Sequence, residues 1–151
     1  MNESHAAVLQ ALTELEIDYW HDVDHNWGRT ANAMYVADGV FAIGDKVMSG
    51  TDEIANFYRW REGRGDRTAR HVVTNFSLNE RSGNRAKLQC IMLLYAADGK
   101  PVLESRPAIM LADVISECER NDSGRWRFVS HILRPIFMGG EPPTIPVDSK
   151  A

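Results

Sequence analysis

Between Ala69 and Phe137 the sequence runs in four long segments that a helix would not tolerate well: Ala69–Glu80, Arg85–Ala97, Ala108–Asn121 and Arg125–Phe137. They are rich in β-branched residues and partly alternate apolar with polar. The stretches RSGN, ADGKP and NDSG that separate them are turn signals. Four long antiparallel strands must bury at least one face against something. The first third of the chain supplies it. From Ser4, an N-cap residue, Val8, Leu12, Leu15, Tyr19 and Val23 recur at helical spacing, and Asn26 and Gly28 supply a stop. A short second helix is predicted over Arg29–Tyr35. ADGVFAIGDKVMSG follows, with one or two short strands. A third helix is predicted over Thr51–Arg61, with acidic residues in its first turn. The expected class is α+β, with three N-terminal helices on one face of a mainly antiparallel sheet.

The 151 residues, 44% of them hydrophobic, suit one domain, expected over residues 1–138. A Gly/Pro-rich tail occupies 139–151. A net charge of −4 argues against nucleic acid or an anionic membrane as the main partner. The start MNESHAAVLQ lacks a basic region followed by an apolar stretch, so no signal peptide and a cytoplasmic location are expected. Cys90 and Cys118 fall inside strands without metal or disulfide spacing and read as small buried hydrophobes.

Alternation assigns faces. Trp126, Phe128, Ser130, Ile132 and Arg134 share one face of the last strand, expected to look inward, and so do Leu88, Cys90, Met92 and Leu94. In the first long strand, His71, Val73 and Asn75 oppose Val72, Phe76 and Leu78, and periodicity does not choose between them. The opposite faces also carry apolar residues, among them Ile91, Leu93, Ile109, Leu111 and Ile115. A sheet apolar on both sides points to a homo-oligomer, dimer or trimer, joined through that second face.

The segments VDHNW, ADGVF, SGTDEIANFY, RHVVTNF and GRWRFVSHILR, in this order, resemble the SnoaL-like, nuclear-transport-factor-like α+β cone, in which a curved sheet wraps helices around a deep pocket. Within that family the chain is most similar to the scytalone dehydratase and bile-acid dehydratase group. The resemblance implies a site made of Tyr19, Asp24, His71 and Arg134. Trp60, Asn75, Met92, Trp126, Phe128 and Ile132 are expected to lie against the substrate. One departure concerns the end of the first helix: two residues separate Asp24 from Trp27 where the family has three, which leaves Asp22 as a rival to Asp24.

The segment HDVDHNW, 21–27, superficially resembles a zinc-protease helix. No third ligand is spaced after it, so His21 and His25 are read as a solvated helix end, and no metal or other cofactor is expected. Asp24 beside His71 would fix the histidine's tautomer and favour its charged form. The expected function is a lyase or isomerase acting on a hydrophobic, cyclic carbonyl compound. His71 would be the base, Asp24 its orienting partner, Tyr19 a hydrogen-bond donor and Arg134 an anchor for negative charge. Two other readings stay open. One is a binding module without turnover; the other is a structural subunit like the β subunit of ring-hydroxylating dioxygenases.

Overall fold

The computed structural model describes residues 4–139; the Gly/Pro-rich tail lies almost wholly outside them. The elements are α1 (His5–Asn26), a 3-10 turn (Ala31–Met34), β1 (Tyr35–Ile43), β2 (Lys46–Ser49), α2 (Thr51–Gly63), β3 (Arg67–Ser82), β4 (Arg85–Asp98), β5 (Met110–Arg120) and β6 (Trp126–Met138). The strands form one six-stranded sheet in the order β2-β1-β6-β5-β4-β3. Among the described residues only β1 and β6 pair in parallel; every other neighbour is antiparallel.

The expected second helix is a single 3-10 turn. The short run between Gly28 and the start of β1 gives little room for a longer one, and short helices are marginal without packing. At the start of α1, the Ser4 side chain accepts the Ala7 N–H at 3.1 Å. At its end, Trp27 turns into the left-handed region (φ 59°). Asp22 fastens the following turn, accepting from Asn26 Nδ2 at 2.9 Å, Thr30 N–H at 3.1 Å and the Thr30 hydroxyl at 2.7 Å.

The core lies between α1, α2 and the concave face of the sheet. Leu12, Tyr19, Phe41, Ile54, Leu88, Met92 and Phe128 are buried there. Each aliphatic side chain so placed contributes roughly 1.5–3 kcal/mol. Several register shifts bend the sheet around this core, and two bulges among them set which residues face it. In β3, Asn75 takes φ 58°, a conformation Asn tolerates better than most residues, and the register shifts between Thr74 and Ser77. In β6, Cys118 pairs with Phe128 and Glu117 with Ser130, which leaves Val129 as the extra residue.

Each bulge reverses the alternation beyond it, and this corrects the expected faces. In β6 the inward residues are Trp126 and Phe128, then His131 and Leu133. Ile132 therefore turns outward, and Arg134 is exposed on the outer face across from Asp113. In β3, His71 and Val73 face inward, but Asn75 sits exposed at the bulge, after which Phe76 and Leu78 turn in. Ile109, expected outside, is buried at 5% exposure just before β5.

Candidate active site

A cavity opens at one end of the sheet. Because β3 to β6 alternate in direction and β1 runs parallel to β6, the start of β3, the end of β4, the start of β5 and the ends of β6 and β1 all meet there. They contribute Arg67, Ala69 and His71, then Leu94, Met110, Leu133, Phe41 and Ile43. From α1 come Trp20, Val23, Asp24 and Trp27, one stripe at spacings of three and four. From α2 come Phe57, Tyr58 and Arg61. The space reachable by the centre of a water molecule is about 80 Å³, a modest volume.

Asp24 and His71 meet in its wall. Asp24 Oδ1 lies 2.6 Å from His71 Nδ1, and Oδ2 accepts the His71 backbone N–H at 2.8 Å. The carboxylate thus clamps both the ring and the strand that carries it. The two side chains are 6% and 11% exposed, respectively. Trp20 stacks on the imidazole at 4.4 Å between centroids and 16° between planes. With Nδ1–H donated to the carboxylate, the neutral ring keeps its lone pair on Nε2, which has no hydrogen-bond partner among the described residues. Asp22, the rival carboxylate, is occupied by Asn26 and Thr30.

Tyr19 does not line the cavity; it is fully buried behind it. Its hydroxyl lies 2.5 Å from that of Tyr58, which does line the cavity. Tyr35 donates to Tyr19 at 3.0 Å and meets His131 Nδ1 at 2.9 Å. His131 Nε2 is 2.9 Å from Glu16, which also accepts from Trp20 Nε1 at 3.1 Å and from the Ser116 hydroxyl. A continuous polar chain therefore runs from the cavity to a carboxylate buried in the core. Burial, reinforced by the neighbouring phenols, holds Tyr19, Tyr35 and Tyr58 well above the ordinary phenol range, so each keeps its proton at neutral pH.

The other expected contacts lie elsewhere. Met92, Phe128 and Trp126 pack in the core, away from the cavity lining, and Trp60 packs on Phe57 beneath the Arg64 guanidinium. Asn75, Ile132 and Arg134 are carried away from the cavity by the bulges. Sequence reasoning missed Trp20, Tyr58, Arg61 and Arg67 as cavity residues. Two of them carried a signal: Trp20 precedes Asp24 by one helical turn, and Arg67 shares strand parity with His71. His21 and His25 lie against one another on the exposed side of α1, 4.4 Å between centroids. Among the described residues no three His, Cys, Asp or Glu side chains converge as metal ligands.

Gly28 keeps Tyr58 in place. A Cβ there would lie 2.6 Å from the Tyr58 ring, and the residue has φ +68°. Gly28→Ala is expected to cost at least ~1–2 kcal/mol from the left-handed backbone alone and to push Tyr58 off its bond to Tyr19. Urea unfolding and tyrosine fluorescence would show both effects.

Two helices packed on a six-stranded mixed sheet define the class of protein as an α+β fold. The chain belongs to the SnoaL-like domain family, whose model matches residues 4–131. No curated protein matches the sequence. Solved structures share the fold at low identity. A candidate scytalone dehydratase from Novosphingobium aromaticivorans superposes with a TM-score of 0.78 at 19% identity, covering 97% of this chain and 96% of the other. The β subunit of a candidate aromatic-ring-hydroxylating dioxygenase from the same organism gives 0.77 at 11%, covering 91% and 94%. A Catenulispora acidiphila protein in complex with S-DNPA gives 0.73 at 16%, covering 87% and 95%. No helix among the described residues is long and apolar enough to cross a membrane.

Proposed function

We propose that the protein is a lyase or isomerase that removes a proton next to a carbonyl in a small, hydrophobic, cyclic compound. The observation that carries this is the Asp24–His71 contact at 2.6 Å in the cavity wall, with Nε2 unengaged. His71 Nε2 takes the α-proton, and the electron pair moves onto the carbonyl oxygen. Asp24 stabilises the imidazolium that forms, and the Tyr58 hydroxyl, backed by Tyr19, donates to the enolate oxygen. If the substrate carries a β-hydroxyl, collapse of the enolate expels it, and the proton held by His71 leaves with it as water. Without that hydroxyl, His71 returns the proton to another carbon and the product is an isomer. The chemistry needs no cofactor: protein groups alone can stabilise an enolate. The space available favours one ring with a short substituent over a multi-ring compound.

The test is exchange rather than product. Small cyclic ketones and β-hydroxy ketones incubated with the protein in D₂O should exchange their α-protons faster than with buffer alone, read by proton NMR. No exchange across such a panel, with ligands nevertheless bound, would turn the reading to a binding module.

The outer sheet face supports self-association. Val72, Leu93, Leu111 and Phe137 stand in register across β3, β4, β5 and β6, and Val72 and Phe137 are 46% and 69% exposed. A homo-oligomer joined through this row is expected at micromolar concentration, and Leu111→Lys with Phe137→Lys should reduce it to monomer. Light scattering that shows a monomer for the unaltered chain would overturn this. A stable complex with a large oxygenase subunit would instead favour the structural-subunit reading.

A further inference from the structure

We infer that the cavity binds a carboxylate-bearing substrate, whose anionic group is held by Arg61 and Arg67 at the end of the cavity away from His71. This rests on the proposed reaction for the reacting end of the molecule and adds the chemical class of the other end.

The two arginines come from different elements and converge on one space. Arg61 lies in the last turn of α2 and Arg67 at the first position of β3; both line the cavity. The Arg67 side chain is only 5% exposed. Its sole ion-pair partner among the described residues is Asp98, at a long 3.6 Å, and that carboxylate is itself 67% exposed. The Nη2 atoms of both arginines are buried without any hydrogen-bond partner. A buried, unpaired guanidinium N–H costs as much as a lost charged hydrogen bond, and two of them on residues that line one cavity mark a place where an added acceptor would be stabilising. Burial and the nearby Arg67 and Arg64 push Arg61 down to about 10, and burial lowers Arg67 as well. Both remain cationic at neutral pH, and one exposed carboxylate, Asp98, balances only part of their combined charge.

The charge balance selects the ligand. Asp98 offsets part of the positive charge, which leaves a site suited to a monoanion, and the small volume disfavours a solvated phosphate dianion. Guanidinium forks match the planar carboxylate. The strand sets the length. Arg67, Ala69 and His71 share one face of β3, so the outer two α-carbons stand about 13 Å apart at ~3.3 Å per residue. Side chains reaching inward from both ends shorten that span to one ring plus a short acid-bearing arm.

The experiment compares charge at constant shape. Benzoate and cyclohexanecarboxylate are titrated against benzamide and cyclohexanecarboxamide by calorimetry, at fixed ionic strength, with the unaltered protein and with Arg67→Gln, Arg61→Gln and His71→Ala. The acids should bind at least tenfold more tightly than the amides. Arg67→Gln should remove that preference, Arg61→Gln should reduce it, and His71→Ala should keep it. Equal binding of acid and amide, or an acid preference that survives both arginine variants, would overturn the inference. The two arginine variants guard against one failing to fold. The outcomes separate from the proposed reaction. Exchange of neutral ketones without acid preference sinks only the anion site. Acid preference without exchange of any carbonyl compound sinks only the reaction.

Discussion

His71→Ala should lower α-proton exchange by ~100- to 10,000-fold, the usual worth of a positioned general base, while the urea midpoint changes little. The imidazole lies in a cavity wall, where it packs on Trp20 and bonds Asp24, so its loss leaves the strand pairing of β3 with β4 intact. Asp24→Asn keeps the shape but replaces one acceptor oxygen with an N–H₂ group and removes the charge. The ring then loses its fixed tautomer, and the imidazolium loses its counter-charge. Turnover should fall again, and the double variant should be little slower than His71→Ala, since two parts of one unit do not add. Asp24 also accepts the His71 backbone N–H, so Asp24→Ala should disturb the strand as well and is the poorer probe. Activity within threefold of the unaltered protein in His71→Ala would remove the histidine from the reaction.

Much of this architecture is legible in the sequence because the helices and strand β4, next to the sheet edge, keep strict periods. The stripe from Val8 to Val23 packs as its spacing predicts, and Leu88, Cys90, Met92 and Leu94 all face inward. The reading fails where a bulge inserts one residue. Strict alternation through β6 puts Arg134 inside and His131 outside; Val129 reverses both. Nothing in GRWRFVSHILR marks that extra residue, since Ser130 and His131 are both polar and either can be the one turned inward. The same blindness placed Asn75 at the substrate. The tyrosine role moved for a different reason. Tyr19 stands on the buried side of α1, and only the three-dimensional meeting of α2 with α1 shows that Tyr58 carries the hydroxyl into the cavity. Arginines at the end of α2 and the start of β3 read as ordinary surface residues until the topology brings them together.

Glu16→Gln is expected to destabilise the fold by ~3–5 kcal/mol, the cost of removing one partner from a buried ion pair, and to slow turnover without touching the Asp24–His71 pair. Glu16 and His131 are both fully buried. Glu16 accepts from Ser116, Trp20 and His131, which suits its ionised form. Each hydroxyl in the chain has one proton to give, so the presence or absence of a proton on His131 Nδ1 fixes the direction of every bond along it. As an imidazolium, His131 donates from Nδ1 to Tyr35, Tyr35 donates to Tyr19, and Tyr19 to Tyr58. Tyr58 is then left with its proton pointing at the cavity, ready for an enolate oxygen. A neutral His131 that donates from Nε2 to Glu16 accepts from Tyr35 instead. The chain reverses, and Tyr58 presents only lone pairs. Glutamine at position 16 removes the charge that favours protons on both ring nitrogens; with its carboxamide oxygen accepting from Nε2–H, Nδ1 is left bare, and turnover should fall by the same route as in Tyr58→Phe, about 100- to 1,000-fold for one lost oxyanion donor. The two variants part on stability. Tyr58→Phe keeps the buried pair and should unfold within about 1–2 kcal/mol of the unaltered protein, whereas Glu16→Gln should not. Nitrogen-15 spectra of His131 provide the direct reading: a proton on Nδ1 in the unaltered chain, lost in Glu16→Gln. A His131 with no proton on Nδ1 in the unaltered chain would mean that Tyr58 does not donate to the substrate.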